Sequence, residues 1–213
     1  RDLRPRVRRQ RQMCIRDSAV ANVSAADWNL TYDFTGKGHN NYADFYLPSG
    51  SAIQAGDSVT LTSTNQNVLL SGNSGGLHAA KINTAGTKHK LVINGGSFNS
   101  ENNYNWALYG ATRLTTDGLN LESDSAGITM NNVTGHFDIY GAGRVSAASN
   151  YHVGTSVVEI ADSVINGKNA HGQIYGGGYL DKAGAHLTVD NTHVIIKNVT
   201  GVQEGYGNLP GVY

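Results

Sequence analysis

A short phrase of an apolar residue, a tyrosine and one or more glycines recurs along the second half of the chain. It spans residues 108–110, 139–143 and 174–178, and a last apolar-tyrosine pair stands at residues 212–213. Successive tyrosines of the phrase are 31, 35 and 38 residues apart. A recurrence of this length is typical of repeat proteins, whose units each add one module to a stack. The phrase therefore predicts a repetitive architecture.

Alternating apolar strands recur with a similar period. Five of them begin 29 to 37 residues apart, at Val59, Leu91, Ile128, Val158 and Leu187. After several of these strands the chain turns through Asn, Asp or Gly, which tolerate the left-handed backbone conformation of a sharp corner. The predicted corners are residues 94–96, 131–132 and 190–191. No apolar stripe of period 3.6 persists for three turns, so no helix is predicted.

Composition narrows the fold class further. Glycine accounts for 27 of the 213 residues, proline for 3 and charged residues for 15%. So little charge argues against a disordered chain, and so much glycine argues against a helical bundle. We therefore predict an all-β fold, a parallel β-solenoid (β-helix) of about five repeat units. A β-propeller is the rival architecture, but its blades usually have about 40 residues or more and carry motifs that this sequence lacks.

The sequence divides into three predicted segments: an arm (residues 1–18), an N-terminal cap with the first strands (19–56) and the solenoid repeats (57–213). Residues 1–17 hold seven of the sixteen basic and two of the sixteen acidic side chains, which leaves a net charge of −5 on the remainder. That acidic body argues against nucleic-acid binding. The arm contains the single cysteine, Cys14, and resembles a translated sequencing-adapter remnant, so we exclude it from fold reasoning.

The tyrosines and glycines of the phrase are the candidate structural corners of the repeat. Rings in register could stack on one another, or they could stack on the sugar rings of a glycan. The neighbouring glycines favour the first interpretation, because they imply close backbone packing. The predicted corner residues are Tyr109, Gly110, Tyr140, Gly141, Gly143, Tyr175, Gly176, Gly177 and Gly178.

No catalytic, cofactor or metal motif is recognisable. Residues 176–178 are not followed by the Gly-Lys-Ser/Thr of a phosphate loop, nor do they repeat as a calcium-binding phrase. The eight histidines show no metal-ligand spacing, and four Asn-x-Ser/Thr sequences, at Asn22, Asn29, Asn132 and Asn198, receive no role. We therefore predict no catalytic residue, no cofactor and no metal. No apolar window is long enough for a transmembrane helix.

The Ile-Tyr-Gly-Gly-Gly phrases, the Asn- and Thr-rich repeats and the cysteine-free body resemble the passenger regions of bacterial autotransporters, most clearly over residues 59–213. Residues 19–26 also resemble the end of a secretory signal peptide. The resemblance implies a right-handed β-helix at or beyond the surface of a Gram-negative bacterium. It also implies a C-terminal outer-membrane β-barrel outside this sequence, so we expect a fragment that is truncated at both ends, with the repeats cut off at the C-terminus.

The function that this resemblance implies is a non-enzymatic scaffold for adhesion. Its expected partners are glycans or proteins of host or bacterial surfaces, and nucleic acid is not among them. The alternative is a β-helical polysaccharide lyase or glycoside hydrolase. Such an enzyme needs clustered carboxylates, or calcium-binding acids beside a basic residue. The carboxylates of the body are scattered along the sequence, so the scaffold is preferred.

Overall fold

The computed structural model describes residues 76–100, 106–168, 172–201 and 212–213, together with the backbone of seven further strands between residues 22 and 204. The predicted arm, residues 1–18, lies outside the described residues. Every regular element in the described part of the chain is a β-strand, which confirms the prediction of an all-β fold. Accordingly, these residues include no helix that is long and apolar enough to cross a membrane.

Twenty strands are described, and they are numbered in chain order. They are β1 (Asn22–Ser24), β2 (Leu30–Asp33), β3 (Tyr42–Leu47), β4 (Ala52–Gln54), β5 (Ser58–Thr62), β6 (Asn67–Leu70), β7 (Gly76–His78), β8 (Lys90–Asn94), β9 (Ser97–Ser100), β10 (Trp106–Tyr109), β11 (Thr112–Leu114), β12 (Asn120–Asn131), β13 (Thr134–Tyr140), β14 (Gly143–Val145), β15 (Asn150–Ala161), β16 (Val164–Lys168), β17 (Ile174–Tyr175), β18 (Gly178–Leu180), β19 (His186–Lys197) and β20 (Gln203–Glu204).

The strands form three sheets, and all the strand pairs described are parallel. One sheet has eleven strands, with the order β1-β4-β7-β10-β13-β9-β6-β3 and with β16, β17 and β20 joined beside that path. A six-stranded sheet has the order β19-β15-β12-β8-β5-β2, and a three-stranded sheet has the order β11-β14-β18. Most partners are separated by about one repeat in sequence, as β12 and β15 are, so the pairing follows the period of the recurring phrase.

The register of the six-stranded sheet tests the predicted strand starts. Four of them occupy equivalent positions on neighbouring strands: Val59, Leu91, Ile128 and Val158. The fifth, Leu187, does mark a strand start, because β19 begins at His186, but it is out of register with the other four: Val158 pairs with Val194, whereas Leu187 pairs with Tyr151. Ile128 and Val158 lie instead in the second halves of β12 and β15. Strands β12, β15 and β19 each have twelve residues, so the apolar pattern at Leu187 marks the first half of a long strand rather than the second.

A residue in the left-handed conformation follows four of these strands at one register position. Gly95, Asn132, Asp162 and Asn198 have φ angles of 74°, 55°, 49° and 53°. The predicted corner at residues 190–191 is wrong, since these residues lie inside β19 and the chain turns at Asn198 instead. A side-chain hydrogen bond of 2.9 Å from Asn198 Nδ2 to Asp162 Oδ1 links two successive corners.

Two apolar clusters form the core. The larger contains Leu77, Leu91, Ile93, Trp106, Leu108, Ile128, Met130, Phe137, Ile139, Val158 and Ile160 among others. The smaller contains Ala111, Leu114, Ala126, Ala142, Val145, Tyr151 and Val153. The long strands β12 and β15 contribute to both clusters. Each fully buried Val, Leu or Ile side chain contributes about 1.5–3 kcal/mol before its loss of entropy is subtracted, so the large cluster is the main apolar contribution to stability.

Candidate functional site

The tyrosines of the recurring phrase form one continuous stack. The ring centroids of Tyr109 and Tyr140, Tyr140 and Tyr175, and Tyr175 and Tyr213 are each 5.3 Å apart, with interplanar angles of 18°, 11° and 20°. His78 extends the stack beyond Tyr109 at 4.3 Å. Tyr109 and Tyr140 are 2% and 6% exposed, whereas Tyr213 is 68% exposed. The two buried rings therefore stack on their neighbours and offer no face to a glycan.

Burial shifts the ionisation of this stack. It raises the pKa of the Tyr109 and Tyr140 phenols, so both stay neutral at ordinary pH. Burial, with a smaller contribution from the positive charge of Arg113, lowers the pKa of His78 to about 3. The buried end of the stack, formed by His78, Tyr109 and Tyr140, is therefore uncharged.

The glycine after each stacked tyrosine lies against the long strands of the six-stranded sheet. A Cβ atom at Gly141 would lie 2.5 Å from Oγ of Ser156, and one at Gly176 would lie 2.6 Å from Cγ2 of Thr192. These distances are too short for any side chain, so the two walls meet only because glycine is present. We call this line of contact the waist; it consists of Gly110, Gly141 and Gly176 on one side and Gly127, Ser156 and Thr192 on the other.

The waist lies between the two apolar clusters. Leu108 and Ile139, just before the waist glycines, belong to the larger cluster, and Ala111 and Ala142, just after them, belong to the smaller. The fully buried Ser156 hydroxyl donates a hydrogen bond of 2.5 Å to the Gly176 carbonyl across the contact. The recurring Tyr-Gly pair thus divides the core into two compartments in the described repeats.

The other glycines of the phrase differ in how strictly they are required. Gly143 has a φ angle of 145°, a conformation that residues with a Cβ rarely adopt. A Cβ at Gly178 would lie 2.6 Å from Cδ2 of Leu187. At Gly177 the nearest atom would be Cγ2 of Val189 at an ordinary 3.6 Å. Gly177 is therefore the one glycine of residues 176–178 that the packing does not demand.

An ion pair lies beside the tyrosine stack. Arg144 donates from Nε, at 3.0 Å, and from Nη2 to Oδ2 of Asp181, and its guanidinium carbon lies 5.4 Å from the centre of the Tyr179 ring. Partial burial raises the pKa of Asp181, but the hydrogen bonds from Arg144 and Ser146 and the positive charges of Arg144 and Arg113 together outweigh it, so the pKa lies below its usual value. Both side chains are about one-quarter exposed, so this contact contributes modestly to stability.

The carboxylates that the enzyme alternative requires are mostly engaged in local contacts. Asp138 Oδ1 accepts hydrogen bonds from the backbone of Gly172 and Gln173 at 2.7 and 3.3 Å, and Asp117 accepts one from the backbone of Ala148 at 2.7 Å. Within the described residues, no three His, Cys, Asp or Glu side chains converge in a way that could hold a metal ion.

An exposed pair of a histidine and an aspartate lies on the outer face of the six-stranded sheet, which is the face opposite the core. His152 Nε2 lies 3.0 Å from both carboxylate oxygens of Asp190. The hydrogen bond and the charge of Asp190 raise the pKa of His152. A shallow hollow of about 570 Å³ adjoins this pair and is lined by Asn120, Leu121, Glu122, Asn150, Tyr151, His152, His186 and Thr188.

A larger cleft of about 690 Å³ lies on the same outer face, behind the waist. We call it the outer cleft; it is lined by Thr87, Lys88, His89, Lys90, Ser125, Ala126, Gly127, Thr129, Val157 and Glu159. Gly127 belongs both to the waist and to the lining of the cleft. The outer cleft therefore adjoins the waist at Gly127.

The outer cleft was not predicted from the sequence. One signal was available: Lys88 and Lys90 flank a buried His89, so the strand pattern places both lysines on one side of the chain. That they share a cleft with Glu159 depends on strand register, which the sequence alone did not provide.

No family model, curated protein or solved structure matches the chain.

Proposed function

We propose that the chain is a right-handed parallel β-solenoid of about five repeat units that serves as a non-enzymatic scaffold at the surface of a Gram-negative bacterium, as the resemblance to autotransporter passengers implies. Its outer faces present side chains to glycans or proteins of neighbouring surfaces. The stacked tyrosines and the waist glycines hold successive repeats in register, and they take no part in ligand binding.

The observation that carries this proposal is the continuous parallel ladder β2-β5-β8-β12-β15-β19. Its strands come from successive repeats and remain in register over eleven paired positions between β12 and β15 and again between β15 and β19. Parallel neighbours with a repeat of about 30 residues between them are what a solenoid requires. The ring stack, which advances by one tyrosine per repeat, supports the same arrangement.

The contacts of the carboxylates support a scaffold rather than an enzyme. Asp138 is held by two backbone amides and Asp181 by Arg144, so neither is poised as a general acid or base. Glu159 accepts a hydrogen bond of 3.2 Å from Thr129. A hydrolase would bring two such groups to opposite sides of one bond.

The fold is tested by a cross-strand disulfide. Asn120 and Asn150 are exposed and paired in register, and their side chains are joined by a hydrogen bond of 2.5 Å. Neighbouring strands place such pairs about 4.8 Å apart, within disulfide range. In a Cys14→Ser background, Asn120→Cys with Asn150→Cys should oxidise readily, whereas Asn120→Cys with Thr188→Cys, two strands away, should stay reduced. Equal oxidation of both pairs would contradict the register.

The function is tested with the whole chain in two assays. Displayed on Gram-negative cells, it should increase their adhesion to surfaces that carry glycans or proteins. The purified chain should release no reducing or unsaturated ends from acidic polysaccharides. Sustained release that is abolished by replacing one carboxylate would establish the enzyme instead.

A further inference from the structure

We propose that the outer cleft binds a short acidic oligosaccharide, with the ligand's carboxylates at Lys88 and Lys90 and its hydroxyls at Thr129 and Glu159. This inference rests on the proposed function, because it names a ligand for one outer face of the proposed scaffold. The cleft lies in the interior of the ladder, between β8, β12 and β15, with further strands on both sides.

The basic end of the cleft is built by alternation along one segment. His89 is buried, and its backbone amide donates a hydrogen bond of 3.0 Å to the carbonyl of Ser125. Lys88 and Lys90, on either side of it, are exposed and line the cleft together, about 7 Å apart along the extended chain. In the described part of the chain no ion pair occupies either ammonium group, so both are available to an anion.

The floor of the cleft is small and apolar. Gly127 and Val157 are paired on β12 and β15 and form this surface. The aliphatic face of a pyranose ring packs well on such a floor, while its polar substituents remain at the rim. The depth available there follows from Gly127, which has no side chain to fill the space.

The far rim supplies neutral and acidic acceptors. Thr129 Oγ1 donates a hydrogen bond of 3.2 Å to Oε2 of Glu159, which holds that carboxylate across two strands. The second carboxylate oxygen of Glu159 can accept hydrogen bonds from sugar hydroxyls, and so can the Ser125 hydroxyl, which lies beside Lys88 at the basic end. Two lysines against one glutamate give the lining a net positive charge, which favours a ligand with carboxylates over a neutral one.

The dimensions favour an oligosaccharide over a single sugar. Lys90 on β8 and Glu159 on β15 are separated by two strand spacings across the sheet and by two residues along the strand, which corresponds to about 12 Å. The cleft therefore spans more than one ring. A peptide is disfavoured because the cleft lies on a sheet face: the backbone groups of β8, β12 and β15 are already paired and cannot add another strand.

The test uses the full chain with linear trigalacturonate as probe, with cellotriose as the neutral analogue and triglutamate as the peptide of matched charge, measured by isothermal titration calorimetry. The double variant Lys88→Gln/Lys90→Gln should bind trigalacturonate at least tenfold more weakly. The matched control, Lys182→Gln/Lys197→Gln, changes two exposed lysines outside the cleft and should bind as the unmodified chain does. Far-UV circular dichroism checks that both variants stay folded.

A second variant separates sugar recognition from general attraction of anions. Val157→Trp fills the floor but keeps both lysines, so it should abolish trigalacturonate binding. Cellotriose should bind more weakly than trigalacturonate. The proposal is overturned if the Lys88→Gln/Lys90→Gln variant binds trigalacturonate normally, if the Val157→Trp variant does so, or if triglutamate binds as tightly as the sugar. Turnover of the sugar would refute the non-enzymatic scaffold and leave the site intact, whereas absent binding would refute only the site.

Discussion

Replacing a waist glycine by alanine should destabilise the fold far more than the same change at Gly177, which directly follows the waist glycine Gly176. A Cβ at Gly141 would lie 2.5 Å from Ser156 Oγ and 2.8 Å from Val158 Cγ2, with the Gly176 carbonyl oxygen still closer. Such overpacking costs about 1–3 kcal/mol, and displacing the Ser156 hydroxyl from its carbonyl acceptor costs about 1 kcal/mol more. The reduced entropy of the unfolded chain offsets about 0.4–1 kcal/mol.

The free energy of unfolding of Gly141→Ala should therefore fall by about 1–3 kcal/mol in urea denaturation followed by far-UV circular dichroism. Gly177→Ala is the matched control, because its new methyl group would meet Val189 at 3.6 Å and its backbone has no left-handed strain. That variant should be unchanged or slightly more stable. Equal urea midpoints for the two variants would refute the waist as a steric contact.

Three further outcomes follow from the same contacts. Tyr140→Leu removes two stacking contacts and should lower the free energy of unfolding by about 1–3 kcal/mol in the same urea assay. Tyr140→Phe should keep most of the stability, and equal losses in the two variants would contradict stacking. Because burial lowers the pKa of His78 to about 3, the unfolded chain binds its proton first, so stability should fall as the pH drops below about 6.5 toward 3. His78→Phe should flatten that profile of urea midpoint against pH, and an unchanged profile would rule His78 out. Because Asn132 has a φ angle of 55°, Asn132→Ala should lower the free energy of unfolding by about 1 kcal/mol and Asn132→Gly by much less. Equal melting temperatures of the two variants in calorimetry would contradict this.

The sequence was most informative where local chemistry and period coincide. The tyrosine spacing and four of the five strand starts, Val59 to Val158, correspond to equivalent positions in the ladder. The pattern was misleading in the last repeat, because an apolar alternation begins at Leu187 and an apolar run at Val194, and only pairing with β15 shows that Val194 shares a column with Val158. Asn198 was overlooked as a corner, although its Asn-x-Thr sequence repeats that of Asn132.

Contacts between opposite walls were beyond reach of the sequence. The meeting of Gly141 with Ser156 joins residues whose separation of 15 carries no periodic signal. The outer cleft depends in turn on the register that aligns Gly127 with Val157. Sequence periodicity specifies which strands are neighbours within a sheet, whereas the distance between sheets depends on side-chain volumes that have to be summed in three dimensions.

The waist also makes the size of the repeat adjustable. Leu77, Leu108 and Ile139 share one column, and Leu91, Ile128 and Val158 share another. Yet 14 residues separate Leu77 from Leu91, while 20 and 19 separate the next two pairs. The extra residues of the longer repeats lie on the side of the smaller apolar cluster, while the strands around the larger cluster keep their register. A loop inserted on the side of the smaller cluster should therefore lengthen one repeat and leave the pairing of its neighbours unchanged. This side of the molecule is the suitable place for grafting a foreign loop.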